Sequence, residues 1–118
     1  MAGEHIVIAE DDEGSRLLLS AFLEQGGYEV RVASNGLQAL QLVRERLPNM
    51  VITDVNMPDV NGLEVAEAAL KVPQPARVVL MSGSLGGREE STARTLGISI
   101  LRKPFTARDV EWLVRGAS

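Results

Sequence analysis

The chain has 118 residues, 45% of them hydrophobic and 24% charged, which is the balance of one globular domain able to bury most of its length around a single core. A net charge of −4 spread along the chain argues against nucleic acid as this domain's partner, and the absence of cysteine removes disulfides, thiolate nucleophiles and zinc–thiolate sites. No apolar run approaches the roughly 20 residues that span a bilayer, and the amino terminus lacks a basic stretch followed by an apolar one, so the expectation is a cytoplasmic domain that does not insert into membranes.

Ile6-Val7-Ile8-Ala9 is a continuous apolar run of the kind that forms a strand buried on both faces, and it ends on Glu10-Asp11-Asp12-Glu13. Leu18 and Phe22, with Leu19 and Leu23, recur at helical spacing, and Gly26-Gly27 closes that helix. Glu29-Val30-Arg31-Val32 alternates polar with apolar, as an edge strand does. Ser34-Asn35-Gly36 caps a second helix carrying Leu37, Leu40, Val43 and Leu47, which must stop before Pro48.

Met50-Val51-Ile52-Thr53-Asp54 is a second buried-type strand, and it delivers a carboxylate at its end before Met57-Pro58 breaks the run. Asn61-Gly62 starts a third helix with Leu63, Ala66, Ala69 and Leu70, ended by Pro73 and Pro75. Val78-Val79-Leu80-Met81 is another buried strand leading into Ser82-Gly83-Ser84. After a loose Leu85-Gly86-Gly87 a short helix runs from about Arg88 to Leu96, and glycines there point to a mobile segment. Ile98 to Leu101 alternates as a second edge strand and ends on Arg102-Lys103-Pro104. Thr106 caps a last helix holding Val110, Leu113 and Val114, and Trp112 on the same helix is read as half-buried packing, with a partner-facing role as the alternative. That helix ends at Arg115-Gly116, early enough to suit a piece of a longer protein.

Strands and helices alternating in this way make a parallel sheet covered by helices on both faces. Three continuous apolar strands and two alternating ones suit a flavodoxin-like, doubly wound (βα)5 fold of strand order 2-1-3-4-5. In such sheets the binding crevice lies at the carboxyl ends of the strands, and four strands place polar groups there. They supply Glu10, Asp11 and Asp12, then Asp54, then Ser82, then Lys103. Crowded carboxylates repel one another unless a cation neutralises them, and an oxygen-only donor set favours a hard ion such as Mg²⁺. A lysine and a hydroxyl facing the acids are what a phosphoryl group on Asp54 would need. The residues alone therefore point to Mg²⁺-dependent phosphoryl transfer onto Asp54. Taken singly, each feature has an ordinary explanation: a solvated acidic turn, a capping aspartate, a turn serine, a surface lysine. His5, at the start of a strand, is read as non-catalytic.

Over essentially its whole length the chain resembles the receiver domain of two-component response regulators. The resemblance rests on Ile6-Val7-Ile8-Ala9-Glu10-Asp11-Asp12, Asp54-Val55-Asn56-Met57-Pro58-Asp59-Val60-Asn61-Gly62, Met81-Ser82-Gly83 and Lys103-Pro104-Phe105. It implies a single receiver domain over residues 1–118 with Asp54 as phosphoacceptor. It implies Mg²⁺, replaceable by Mn²⁺, held by Asp11, Asp54 and the backbone carbonyl of Asn56, with Glu10 acting through water. Three acids compete for two places here, and Asp12 ranks third. The resemblance further implies that Ser82 and Lys103 bind the phosphoryl group and that Lys103-Pro104 is cis. A histidine kinase or histidine phosphotransfer protein would be the donor, and the face from strand 4 to helix 5 would meet a partner or a second copy.

One departure from the family pattern stands out: Ile100 occupies the position of an inward-swinging Tyr or Phe. That keeps open a second function, a degenerate receiver serving as a phosphorylation-independent docking or dimerisation module. A haloacid-type phosphatase fits less well, because it needs its two acids two residues apart after the first strand, whereas the acids here are adjacent.

Overall fold

The structure, a computed structural model, describes residues 4–57, 59, 62–71, 77–83 and 87–115. In chain order the elements are β1 (His5–Ala9), α1 (Glu13–Gln25), β2 (Glu29–Ala33), α2 (Gly36–Glu45), β3 (Met50–Asp54), α3 (Gly62–Leu70), β4 (Arg77–Ser82), α4 (Gly87–Leu96), β5 (Ser99–Arg102) and α5 (Ala107–Val114). The expected loose segment at Leu85-Gly86, the breaks at Pro58, Pro73 and Pro75, and Asn61, Ser84 and Gly116 lie outside the described residues, as does the side chain of Leu63.

All strand pairs are parallel, in the order β2-β1-β3-β4-β5, the order expected from the apolar patterning of the strands. Side chains alternate across each strand, so each buried run feeds two cores. Ile6, Ile8, Ile52 and Met81 pack with Leu19 and Leu23 of α1 and Val110, Leu113 and Val114 of α5. Val7, Val51, Val78 and Leu80 pack on the other face with Ala39 and Val43 of α2, Val65, Ala66 and Ala69 of α3 and Ala93 of α4. Every residue of β1 and β3 is buried, while the edge strand β2 leaves Glu29 and Val32 exposed.

The helical stripes differ from expectation in detail. In α2 the buried residues are Gly36, Ala39 and Val43, whereas Leu37 and Leu47 face solvent. The helix approaches the sheet through its small residues, and the chain leaves the helix at Arg46, before Leu47. In α1 Leu19 and Leu23 are buried while Leu18 is exposed. Trp112, expected half-buried, is 55% exposed and walls a groove of about 490 Å³ with Ile100, Arg102 and Arg108. Thr106 does cap α5, in a reciprocal pair with Asp109.

At the amino-terminal end of the sheet, His5 is buried and structural. Its backbone N–H donates to Asn49 Oδ1 at 2.7 Å, and its Nε2 accepts from Arg31 Nε at 2.8 Å. Arg31 also donates to the carbonyls of Leu42 and Arg46, tying β2 to the end of α2. Burial, and then Arg31 and Arg46, hold the His5 imidazole below its ordinary pKa.

Candidate functional site

The parallel register puts the polar ends of β1, β3, β4 and β5 side by side. Glu10 continues β1 by donating its N–H to Ala33 O of β2 at 3.1 Å, and its carbonyl accepts from Arg16 at 2.9 Å. Val55 N–H donates to Met81 O, so Asp54 lies level with the end of β4, and Lys103 N–H donates to Ser82 O at 2.9 Å. These ladder bonds, between residues far apart in sequence, fix the spacing of the site.

Lys103 stands at its centre. Its Nζ lies 2.5 Å from Glu10 Oε1 and 2.7 Å from Asp54 Oδ2, bridging two buried carboxylates. Glu10, Asp11 and Asp54 each present a carboxylate oxygen within 4.8 Å of the others, with Asp11 exposed and the other two buried. The second oxygen of Asp54 accepts from Asn56 N–H at 2.9 Å. Asp12, by contrast, turns away: its Oδ2 accepts from Ser15 N–H at 2.8 Å and caps α1. That bond holds its carboxyl below the usual range. Ser82 is buried at the end of β4. Asn56 is exposed two residues past Asp54. The Lys103-Pro104 peptide is cis.

The electrostatics are those of a crowded anionic site. Burial pushes Glu10 up to about 7; the hydrogen bond from Lys103 opposes this and the nearby Asp54 adds to it. Burial alone would lower Lys103, but its bonds to Asp54 and Glu10 prevail and raise it. Three carboxylates face a single ammonium, so a hard dication fits the donor set: all donors are oxygen, two are buried, and negative charge is in excess.

Two residues of the Asp54–Gly62 motif to which the sequence reading gave no role at the site hold the backbone beside it. Gly62, read as a helix start and as the end of that motif, lies so close to β3 that a Cβ there would fall 2.1 Å from Asp54 O and 2.8 Å from Val55 Cα. Its N–H donates to Val55 O at 3.0 Å, and only glycine permits that approach. The available signal was a glycine at the first position of a helix, where a side chain is ordinarily welcome. Asp59 is the other: its carboxylate accepts from Gly36 and Leu37 N–H of α2, both at 3.0 Å. No local sequence signal announces a bond across that separation.

Residues 6–115 match the family described as the response regulator receiver domain, and the chain belongs to it. Among curated proteins it is 32% identical to sporulation initiation phosphotransferase F of Bacillus subtilis, over 98% of this chain and 94% of that one. It is 35% identical to transcriptional regulatory protein CreB of Escherichia coli, over 93% of this chain but only 48% of that longer protein. A CheY-like response regulator receiver domain protein from Methanospirillum hungatei superposes with a TM-score of 0.91 over 98% of this chain and 94% of that one; at 23% identity this likeness concerns the fold alone. The chain is thus a receiver domain of two-component signalling, a module of phosphorylation-dependent signalling whose family works with histidine kinases or phosphotransfer proteins. Among the described residues no helix is long and apolar enough to cross a membrane.

Proposed function

We propose that this domain is a phosphoryl-accepting switch in which Asp54 takes a phosphoryl group from a phosphohistidine on a histidine kinase or phosphotransfer protein. The observation that carries the reading is the placement of Lys103 Nζ between Asp54 and Glu10, with Asp11 alongside. Mg²⁺, or Mn²⁺ in its place, would be held by Asp11, Asp54 and the Asn56 carbonyl, with Glu10 acting through water. When bound, the ion neutralises the acids and the charge on the phosphoryl oxygens. Asp12, occupied as a helix cap, has no part in this reading.

A carboxylate oxygen of Asp54 attacks phosphorus as the P–N bond of the donor breaks and its electron pair returns to the imidazole. Lys103 then exchanges its bond to the Asp54 carboxylate for one to a phosphoryl oxygen, and the Ser82 hydroxyl donates to another. The outcome is a covalent aspartyl phosphate that biases β4 to α5 between two arrangements, rather than a turnover product. That face, with the exposed Trp112, would meet the downstream partner or a second copy in the cytoplasm. Neither the mild acidic charge nor the site favours nucleic acid as a partner of this domain.

The test is intact mass after incubation with a small-molecule phosphodonor, with and without Mg²⁺, for the wild type and Asp54→Asn. One phosphoryl adduct that requires both Asp54 and Mg²⁺ is expected. One observation favours the second reading, a phosphorylation-independent docking module: Ile100 is aliphatic and packs partly buried against the core, with no aromatic ring to swing. A folded protein that binds Mg²⁺ yet takes no adduct would select it.

A further inference from the structure

The loop after Asp54 is held at two points that belong to different parts of the fold. At its base Gly62 N–H donates to Val55 O. Further out, Asp59 leaves its own neighbourhood and grips α2, with Oδ1 on Gly36 N–H and Oδ2 on Leu37 N–H, each at 3.0 Å. Asn35 covers the next amide, accepting from Gln38 N–H at 2.8 Å. The first three amides of α2 are therefore satisfied by side chains, two of them by a residue from the phosphoacceptor loop. A carboxylate at that position also complements the positive end of the helix. Asp59 is exposed, so the strength of the hold comes from its two-bond geometry rather than from a low dielectric.

We propose that Asp59 is a positioning residue: by clamping the loop to the start of α2 it fixes Asn56 and so sets the affinity of the acidic site for a divalent cation. This rests on the metal site proposed above. Asn56 lies only three residues before Asp59, and the ligand assigned to it is a backbone carbonyl, whose direction depends on the loop. Mg²⁺ demands near-ideal octahedral geometry, so freedom in one ligand's backbone is paid directly in affinity. Partners one step removed from a metal ligand are typically worth about 10- to 100-fold in binding. Because coupling is reciprocal, cation binding must also be felt at the α2 amides that Asp59 holds.

A role confined to capping α2 would give a different result. The experiment compares Mg²⁺ binding by calorimetry and thermal stability in the wild type, Asp59→Ala and Asn35→Ala. Amide resonances of the wild type are followed in the same Mg²⁺ titration. Asn35→Ala loosens the same helix end without touching the loop and is expected to bind Mg²⁺ as the wild type does. Asp59→Ala is expected to bind about tenfold more weakly, and the Gly36 and Leu37 amides of the wild type are expected to shift on Mg²⁺ addition. Equal Mg²⁺ affinity in Asp59→Ala and wild type overturns the inference and leaves the metal site standing. Gly36 and Leu37 amides that do not respond while the wild type binds Mg²⁺ overturn it as well, whether or not Asp59→Ala folds. A wild type that binds no Mg²⁺ at all removes the metal reading and this inference together.

Discussion

The close approach of α3 to the end of β3 at Gly62 makes the sharpest prediction. In Gly62→Ala the new methyl would sit 2.1 Å from Asp54 O, 2.8 Å from Asp54 C and 2.8 Å from Val55 Cα, all backbone atoms that cannot rotate away. Ordinary carbon–oxygen contact needs about 3.2 Å or more, so α3 and the end of β3 must separate by roughly 1 Å. Overpacking of this kind costs about 1–3 kcal/mol. Against it stands alanine's helical preference over glycine, about 0.5–1 kcal/mol at most, and less at a first helical position. The clash wins, leaving a net loss of about 2 kcal/mol, or a melting temperature lower by about 8 °C at roughly 4 °C per kcal/mol for a domain of this size. The same displacement disturbs the backbone of Asp54, whose carboxylate bonds Lys103, so adduct formation should fall more than stability does. Urea unfolding and phosphodonor mass spectrometry on the same preparation check both effects. A Gly62→Ala protein as stable as the wild type, or more so, and phosphorylated at the wild-type rate would refute the close approach on which the site is built.

Lys103→Met removes the ammonium that bridges Glu10 and Asp54. A unit charge about 4 Å away is worth between about 1 and 4 kcal/mol, so Mg²⁺ binding should tighten at least about fivefold in calorimetry while the phosphodonor reaction slows by tenfold or more. His5 makes the pH prediction. Its folded pKa lies below the unfolded value of 6.5, so its contribution to stability is complete above 6.5 and is lost as pH falls through the folded value. The stability difference between wild type and His5→Gln should therefore shrink on acidification below 6.5, as urea midpoints at several pH values would reveal; a constant difference would mean that His5 titrates normally. Finally, if the β4–α5 face binds a second copy, sedimentation with a phosphoryl-mimicking beryllofluoride adduct should show a dimer that an Arg substitution at Trp112 abolishes.

Burial was legible in the central strands because Ile6 to Ala9 and Met50 to Ile52 have no polar interruption, and both strands are buried throughout. The convergence of Glu10, Asp11, Asp54 and Lys103 followed from topology, since a parallel sheet puts all its strand ends at one edge. The roles of those residues are a separate matter, resting on the proposed chemistry. What stayed hidden depends on distances between backbones. Leu37 fitted the helical spacing of Leu40, Val43 and Leu47, yet α2 docks through Gly36, Ala39 and Val43 because small residues let it lie closer to the sheet. Gly62 and Asp59 act across gaps that no local pattern encodes.

The site also explains why such a cluster can exist in a small domain. Burial pushes Glu10 up to about 7, Asp54 beside it adds to that cost, and the hydrogen bond from Lys103 offsets it only in part. Neighbouring groups hold the backbone around the acids in place: Arg16 on the Glu10 carbonyl, Asn56 N–H on Asp54, Gly62 on Val55 and Asp59 on α2. Each of these bonds restrains a carboxylate, or the loop that follows it, without neutralising it. The remaining negative charge is then available to attract a dication and, through it, a phosphoryl donor. A site made electrically comfortable by a second lysine would be more stable and would have less reason to bind either.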